Sequence, residues 1–199
     1  MKILAAGDIH GDMISAKRLA YTAHKEDVDL VILCGDVTFF EREFKDILHH
    51  FKEKRVLMLP GNHENLATTQ MIADVYGFRN IHGISVKYDD IGIFGAGGCT
   101  KVGPSPIIPE SEMDLLLSQG FEGIKYLPKK IMVTHEHPAD SIIELNKTFL
   151  GSKSIRDAID KMQPDILICG HIHEAEGIEQ MIGKTRVINV GKKGKIFEF

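Results

Sequence analysis

The sequence predicts a single α/β domain containing two β-sheets, and three features of it lead there. Apolar runs such as Leu30-Val31-Ile32-Leu33-Cys34 stop abruptly on glycine and a polar side chain, as strands buried on both faces do. Through residue 76 these runs alternate with helical patterns, which gives βαβ units and parallel pairing. Beyond residue 77 some runs follow one another directly across turn residues, which signals hairpins and a second or mixed sheet.

Taken in order, the first strand covers 2–6 and is left through the turn Asp8-Ile9-His10-Gly11. Asp12 is placed to cap a helix that runs to Lys25, and a strand over 30–33 completes the first βαβ unit. The stretch 41–54 reads as the next helix, acidic at its start and richer in Lys and His later, as the helix dipole favours. A third strand, 55–59, is stopped by Pro60-Gly61, and a helix over 65–76 lies behind it. The hairpin 84–88 and 91–96 turns on Asp89-Asp90.

The stretch 97–106 is the least regular, because Gly and Pro interrupt both helix and strand. It is either a plain surface connection or a lid over substrate, which makes Thr100 and Lys101 candidates for phosphate contacts. Helices are expected over 111–119, 141–149 and 153–162, and strands over 131–133 and 165–169. The C-terminal strands 177–182, 185–190 and 196–199, with glycine at each turn, read as a hairpin meander.

Composition narrows the function classes. Apolar residues at 43% and charged residues at 26% are ordinary for a globular protein, and a net charge of -4 offers no global attraction for nucleic acid. No apolar run approaches the roughly 18 residues that span a bilayer. The N-terminus turns polar at Gly7-Asp8, too soon for a signal peptide, so a cytoplasmic protein with no membrane partner is expected. Cys34, Cys99 and Cys169 show no CxxC spacing and read as small buried hydrophobes.

Five apolar runs end in metal-ligand residue types: Gly7-Asp8-Ile9-His10, Gly35-Asp36, Gly61-Asn62-His63-Glu64, Thr134-His135 and Gly170-His171-Ile172-His173. Strand tips form the crevice where open α/β sheets bind ligands, and packing does not explain carboxylates there, since ionised carboxylates are almost never buried unpaired. A shared metal site explains them together. Mixed nitrogen and oxygen donors suit Mn, Fe, Co, Ni or Zn over Ca or Mg, and the candidates are too many for one ion. Two ions bridged by a carboxylate and a hydroxide form a recurrent site for displacement at phosphorus.

These blocks, in this order from Asp8 to His173, resemble the calcineurin-like metallophosphoesterases: Asp-x-His, Gly-Asp, Gly-Asn-His-Asp/Glu, a single His, then Gly-His-x-His. The Gly-rich then Pro-rich stretch after Phe94 is similar to the small capless Icc-related phosphoesterases. The resemblance implies a four-layer α/β/β/α sandwich of two mixed β-sheets flanked by helices. It implies that Asp8, His10, Asp36 and His173 hold one divalent ion, and that Asp36, Asn62, His135 and His171 hold the other. His63 would then donate a proton to the leaving oxygen or stabilise the transition state. The expected activity is hydrolysis of a small phosphodiester or nucleotide by a metal-bridging hydroxide, with manganese the first choice of metal.

The fourth block departs from many relatives by reading His135-Glu136-His137-Pro138. Residues two apart share a strand face, so His137 competes with His135; His135 is favoured because it directly follows the buried strand. His24, His49, His50 and His82 read as ordinary surface or core histidines, and Glu64 as an acid at a helix start. The alternatives are a phosphomonoesterase, a nuclease and a non-catalytic scaffold of the same fold. The Lys129-Lys130 and Lys192-Lys193 clusters lack interleaved aromatics and read as solvated turns rather than a nucleic-acid surface.

Overall fold

Alternation along the strands sets the layers. The computed structural model describes residues 1–40, 47–101 and 107–199. In β1 (Lys2–Ala6) and β2 (Leu30–Leu33), Ile3, Ala5, Leu30 and Ile32 turn into a core between two sheets. Leu4, Ala6, Val31 and Leu33 turn the other way, onto α1 (Met13–Lys25) through Leu19, Ala20 and Ala23. The Asp12 carboxylate caps α1 by accepting from the Ile14 and Ser15 amides at 3.0 and 3.1 Å.

The first sheet continues through β3 (Val56–Met58) and the two-residue β4 (Arg79–Asn80), all parallel, with α2 (Leu66–Tyr76) packed outside them. The second sheet is mixed. β5 (Ser85–Tyr88) and β6 (Ile91–Ala96) form the expected hairpin, and β7 (Lys129–Thr134) and β8 (Ile166–Cys169) run parallel to β6. β10 (Thr185–Asn189) pairs parallel with β8 and antiparallel with β9 (Glu179–Ile182). Ile131, Val133, Ile166, Ile168 and Ile188 face the inter-sheet core, while Met132, Leu167 and Val187 face α3 (Glu110–Glu122) and α4 (Lys153–Met162). The result is the four-layer α/β/β/α sandwich.

Three expectations need correction. No helix forms over 141–149: a single 3-10 turn, Ile142–Glu144, is followed by Leu145, Asn146 and Lys147 at φ 47, 58 and 65°, and three left-handed residues in a row cannot continue a right-handed helix. The C-terminal strands are not one meander. β9 and β10 make a hairpin, but 191–194 carry the chain to the other sheet, where β11 (Lys195–Glu198) pairs antiparallel with β1. Of the helix expected over 41–54, residues 41–46 lie outside the described residues and Leu48–Phe51 forms a 3-10 turn. Residues 102–106 of the irregular stretch also lie outside them.

Glu110, the first residue of α3, ties the two outer helices together. Its carboxylate accepts from the Ser152 hydroxyl at 2.7 Å and from the Lys153 and Ser154 amides at 3.0 and 2.9 Å, which satisfies the N-terminus of α4. Burial opposes its charge, but these donors outweigh burial and hold the carboxyl down at about 2. A depressed carboxyl stabilises the fold above its unfolded value, and that contribution is lost as pH falls towards 2. Because the side chain is about a third exposed, solvent screening keeps the effect modest. Glu110→Gln should cost about 1 kcal/mol in urea unfolding at pH 7, and the gap between variant and wild type should narrow when the measurement is repeated at pH 3.

Candidate metal centre

The parallel strands of both sheets end at one edge, and the turns leaving them are stitched together by backbone hydrogen bonds. The Asp8 amide donates to Gly35 O at 3.1 Å, the His10 amide to Asp36 O at 2.8 Å, and the Gly170 amide to His135 O at 2.9 Å. Asp8 and Asp36 are buried in this seam at 3% and 2% exposure. Gly61 lets the Asp36 carboxylate in, since a Cβ there would stand 2.0 Å from Asp36 Oδ1. Gly170 does the same for Asp8, whose Oδ2 would meet a Cβ at 2.7 Å. Asp8, His10, Asp36 and His171 all have left-handed backbone, at φ 53, 48, 50 and 71°. Such conformations cost about 1–3 kcal/mol each and collect at functional sites.

Asp36 stands at the middle. Its Oδ2 lies 3.5 Å from His135 Nε2, 3.6 Å from His10 Nε2 and 3.9 Å from His63 Nε2, while Oδ1 accepts from the His63 amide at 2.9 Å. On the other side His173 Nε2 is 3.7 Å from Asp8 Oδ1 and 3.0 Å from His10 Nε2. Three overlapping groups each offer ligand atoms within 4.8 Å of one another: Asp8, His10, His173; His10, Asp36, His63; and Asp8, Asp36, His135. Asn62 Oδ1 faces His135 Nε2 at 2.9 Å, and the His171 ring lies 5.1 Å from that of His135. All seven candidate ligands thus meet at one edge, and imidazole nitrogens converging on two carboxylates fit a divalent cation.

Burial and the two carboxylates pull the histidines in opposite directions. Both His135 nitrogens face oxygen acceptors, Nδ1 the Cys34 carbonyl at 2.9 Å and Nε2 the Asn62 side chain. Burial opposes a charge on this ring, but Asp36 outweighs it and raises the imidazole to about 10. Burial likewise opposes the Asp36 charge, and His135 outweighs it, so that carboxyl lies well below its usual range. Burial beside His135 pushes His171 down to about 3.

Residues around the centre divide into braces and walls. Glu64 is not a helix-start acid: Asn65 caps α2, and the Glu64 carboxyl is buried, accepting from the Val37 and Gly61 amides at 3.2 and 3.3 Å. Burial first, then Asp36, raises it to about 7. Its charge and its place before a helix cap hide this role in the sequence. Phe39 and Phe40 carry no sequence signal of a role either. Half exposed, they pack on His63 with ring centroids 5.6 and 4.6 Å away, and this packing helps orient the ring, whose buried Nδ1 has no hydrogen-bond partner among the described residues.

His137 turns away from the centre to the Phe149 carbonyl at 3.1 Å, and burial lowers it to about 4. Thr100 donates through its amide to Glu136 at 2.7 Å and through its hydroxyl to Glu110. Lys101 reaches the Gly151 carbonyl and lies 3.6 Å from Glu110. It lines a cleft of about 360 Å³ shared with His171 and His173. His82 accepts from the Gly97 amide at 3.0 Å, away from these groups. Among the described residues no helix is long and apolar enough to cross a membrane.

Residues 1–175 match the calcineurin-like phosphoesterase family. The uncharacterized protein MJ1162 of Methanocaldococcus jannaschii is 32% identical over 205 residues, covering 97% of this chain and 89% of that protein. Among solved structures, TT1561 of Thermus thermophilus has a TM-score of 0.77 at 17% identity, over 96% of this chain and 90% of that one. A structure of a novel archaeal phosphodiesterase has a TM-score of 0.54 at 20% identity, over 96% of this chain and 84% of that one. Identities this low speak to the fold, which these structures share. The match over most of the sequence and the relative aligned along nearly its whole length carry the assignment further: this chain belongs to the calcineurin-like phosphoesterases.

Proposed function

We propose that the chain is a dinuclear metal-dependent phosphoester hydrolase acting on phosphodiesters, manganese being the preferred metal. The convergence of the Asp8 and Asp36 carboxylates with imidazole nitrogens, in three overlapping groups of which two contain Asp36, is the observation that supports it most. Asp8, His10, Asp36 and His173 would hold one ion, and Asp36, Asn62, His135 and His171 the other. When bound, such a pair supplies a water acidified to near neutral pH as the attacking group and neutralises the phosphate oxygens. The chain's own contributions surround that. The Cys34 carbonyl holds His135 Nδ1–H and so reserves Nε2 for a cation.

His63, on the Phe39–Phe40 side of Asp36, is the candidate proton donor to the leaving oxygen. Diester preference draws support from the likeness to the archaeal phosphodiesterase and from the cleft beside His171 and His173, which has room for an ester substituent.

His63→Ala should lower kcat by about 10²–10⁴-fold while leaving metal content, read by elemental analysis, unchanged; undiminished turnover would remove His63 from the mechanism. The His135 shift sets a pH dependence. The metal-free ring carries its second proton below about 10, and a cation on Nε2 must displace it. Manganese affinity should therefore rise with pH across the neutral range, by up to about tenfold per unit for this one proton, and loading at pH 7 should release protons to an indicator dye. Affinity that ignores pH would take His135 out of the ligand set. With metal-stripped protein reloaded separately with Mn, Ni, Zn or Mg, bis-p-nitrophenyl phosphate should turn over faster than p-nitrophenyl phosphate, and fastest with Mn. A faster monoester would make the protein a phosphatase.

A further inference from the structure

We propose that the cleft beside the metal centre seats one ester substituent of the substrate, and that this substituent is an uncharged apolar group of about the size of an aromatic ring. The inference rests on the phosphoester-hydrolase reading and specifies its substrate class.

Continuity with the centre comes first. One wall of the cleft is the segment leaving β8, including His171, Ile172 and His173, so a phosphate held by the candidate ligands lies at the cleft mouth. The facing wall is 148–150, and Phe149 and Leu150 with Ile172 give the cleft a mainly apolar lining. A volume of about 360 Å³ suits a compact substituent, at the small end of ligand pockets. Leu150 is 55% exposed there, a large apolar side chain left facing solvent beside buried polar chemistry.

The second argument is rigidity. Residues 145–147 are left-handed, yet the wall they lead into is pinned on either side of Leu150, at Phe149 and Gly151. The Phe149 amide donates to Glu144 O at 3.1 Å, and the Gly151 amide donates to the Glu144 carboxylate at 3.0 Å. His137 Nε2–H donates to the Phe149 carbonyl at 3.1 Å, and the Lys101 ammonium donates to the Gly151 carbonyl. Each donor and acceptor here is spent on holding the wall. A wall fixed before binding loses little entropy when an apolar group arrives. The second histidine of the His135-Glu136-His137 run thus acts on the wall.

Charge decides what the cleft rejects. Lys101, the cation of the lining, is already engaged by Gly151 and by Glu110 at 3.6 Å, so it is not held ready for a second phosphate. The exposed Glu174 carboxyl lies on the same lining and repels further anions. A neutral apolar substituent meets none of these costs and covers Leu150.

The test is calorimetric binding of diphenyl phosphate and dimethyl phosphate to the full-length manganese-loaded protein, its Leu150→Ser variant and its Phe149→Ala variant. Wild type should bind the diphenyl ester about tenfold more tightly than the dimethyl ester. Leu150→Ser, at an exposed position that does not threaten folding, should remove most of that difference and leave dimethyl phosphate affinity within about twofold. Phenyl p-nitrophenyl phosphate and methyl p-nitrophenyl phosphate release the same p-nitrophenolate. Their kcat/KM ratio should fall in the same variants, mainly through KM. Equal binding of the two phosphates by wild type, or discrimination that survives Leu150→Ser, overturns the inference. Leu150-dependent binding without hydrolysis of either ester keeps the cleft and overturns the hydrolase reading. Hydrolysis without discrimination does the reverse.

Discussion

Asp36 and His135 face each other across the gap between the sheets, 3.5 Å apart and almost wholly buried, and the site is arranged about that contact. Each compensates much of the other's burial, since removing one partner of a buried charged pair costs about 3–5 kcal/mol. The contact also fixes the relative position of the sheets at this edge. Asp36 leaves β2 in one sheet and His135 leaves β7 in the other, and the Cys34 carbonyl on the first sheet takes the His135 Nδ1 proton. Slippage between the sheets would break both bonds at once. Burial of the strands' inner faces drives the sheets together without specifying register, so polar contacts at the rim set it.

The two sides of Asp36 are not held alike. His135 is fixed at both nitrogens by oxygen acceptors, so its ring plane is set by directional bonds. His63 is held by the aromatic rings of Phe39 and Phe40, which constrain it by shape, and its Nε2 stands 3.9 Å from Asp36, beyond hydrogen-bond length. This suits the chemistry suggested for each. A ligand must be stationary, whereas a group that hands a proton to a leaving oxygen must follow that oxygen as the bond lengthens.

Much of this is legible in the sequence because both-face burial makes a strand a continuous apolar run, and the polar residue that ends the run stands out. That is why Asp8, Asp36, Asn62, His135, His171 and His173 can be singled out and the two-sheet architecture read. What stays hidden depends on distances in space. Lys195–Glu198 has the local signature of a hairpin partner, yet it crosses to the other sheet, a choice between two available edges that no local pattern encodes. The 142–147 stretch has helical composition, but its last three residues are left-handed, and bonds between Glu144 and Gly151 and between His137 and Phe149 close the chain beyond them. Glu64 misleads for a related reason: an acid beside a helix cap gives the same sequence signal whether it serves the helix or is buried under a neighbouring turn.

The left-handed backbone at Asp8, His10, Asp36 and His171 narrows the amino-acid alphabet at these positions. A glutamate offers the same two oxygens as an aspartate, and several side chains can reach a cation. Short side chains that bond locally, those of Asp, Asn and His, tolerate positive φ far better than longer ones. Metal chemistry and backbone geometry therefore act as two successive filters on the same positions, and few residue types pass both. The motif's spelling records the shape of the turns as much as the identity of the cargo they hold.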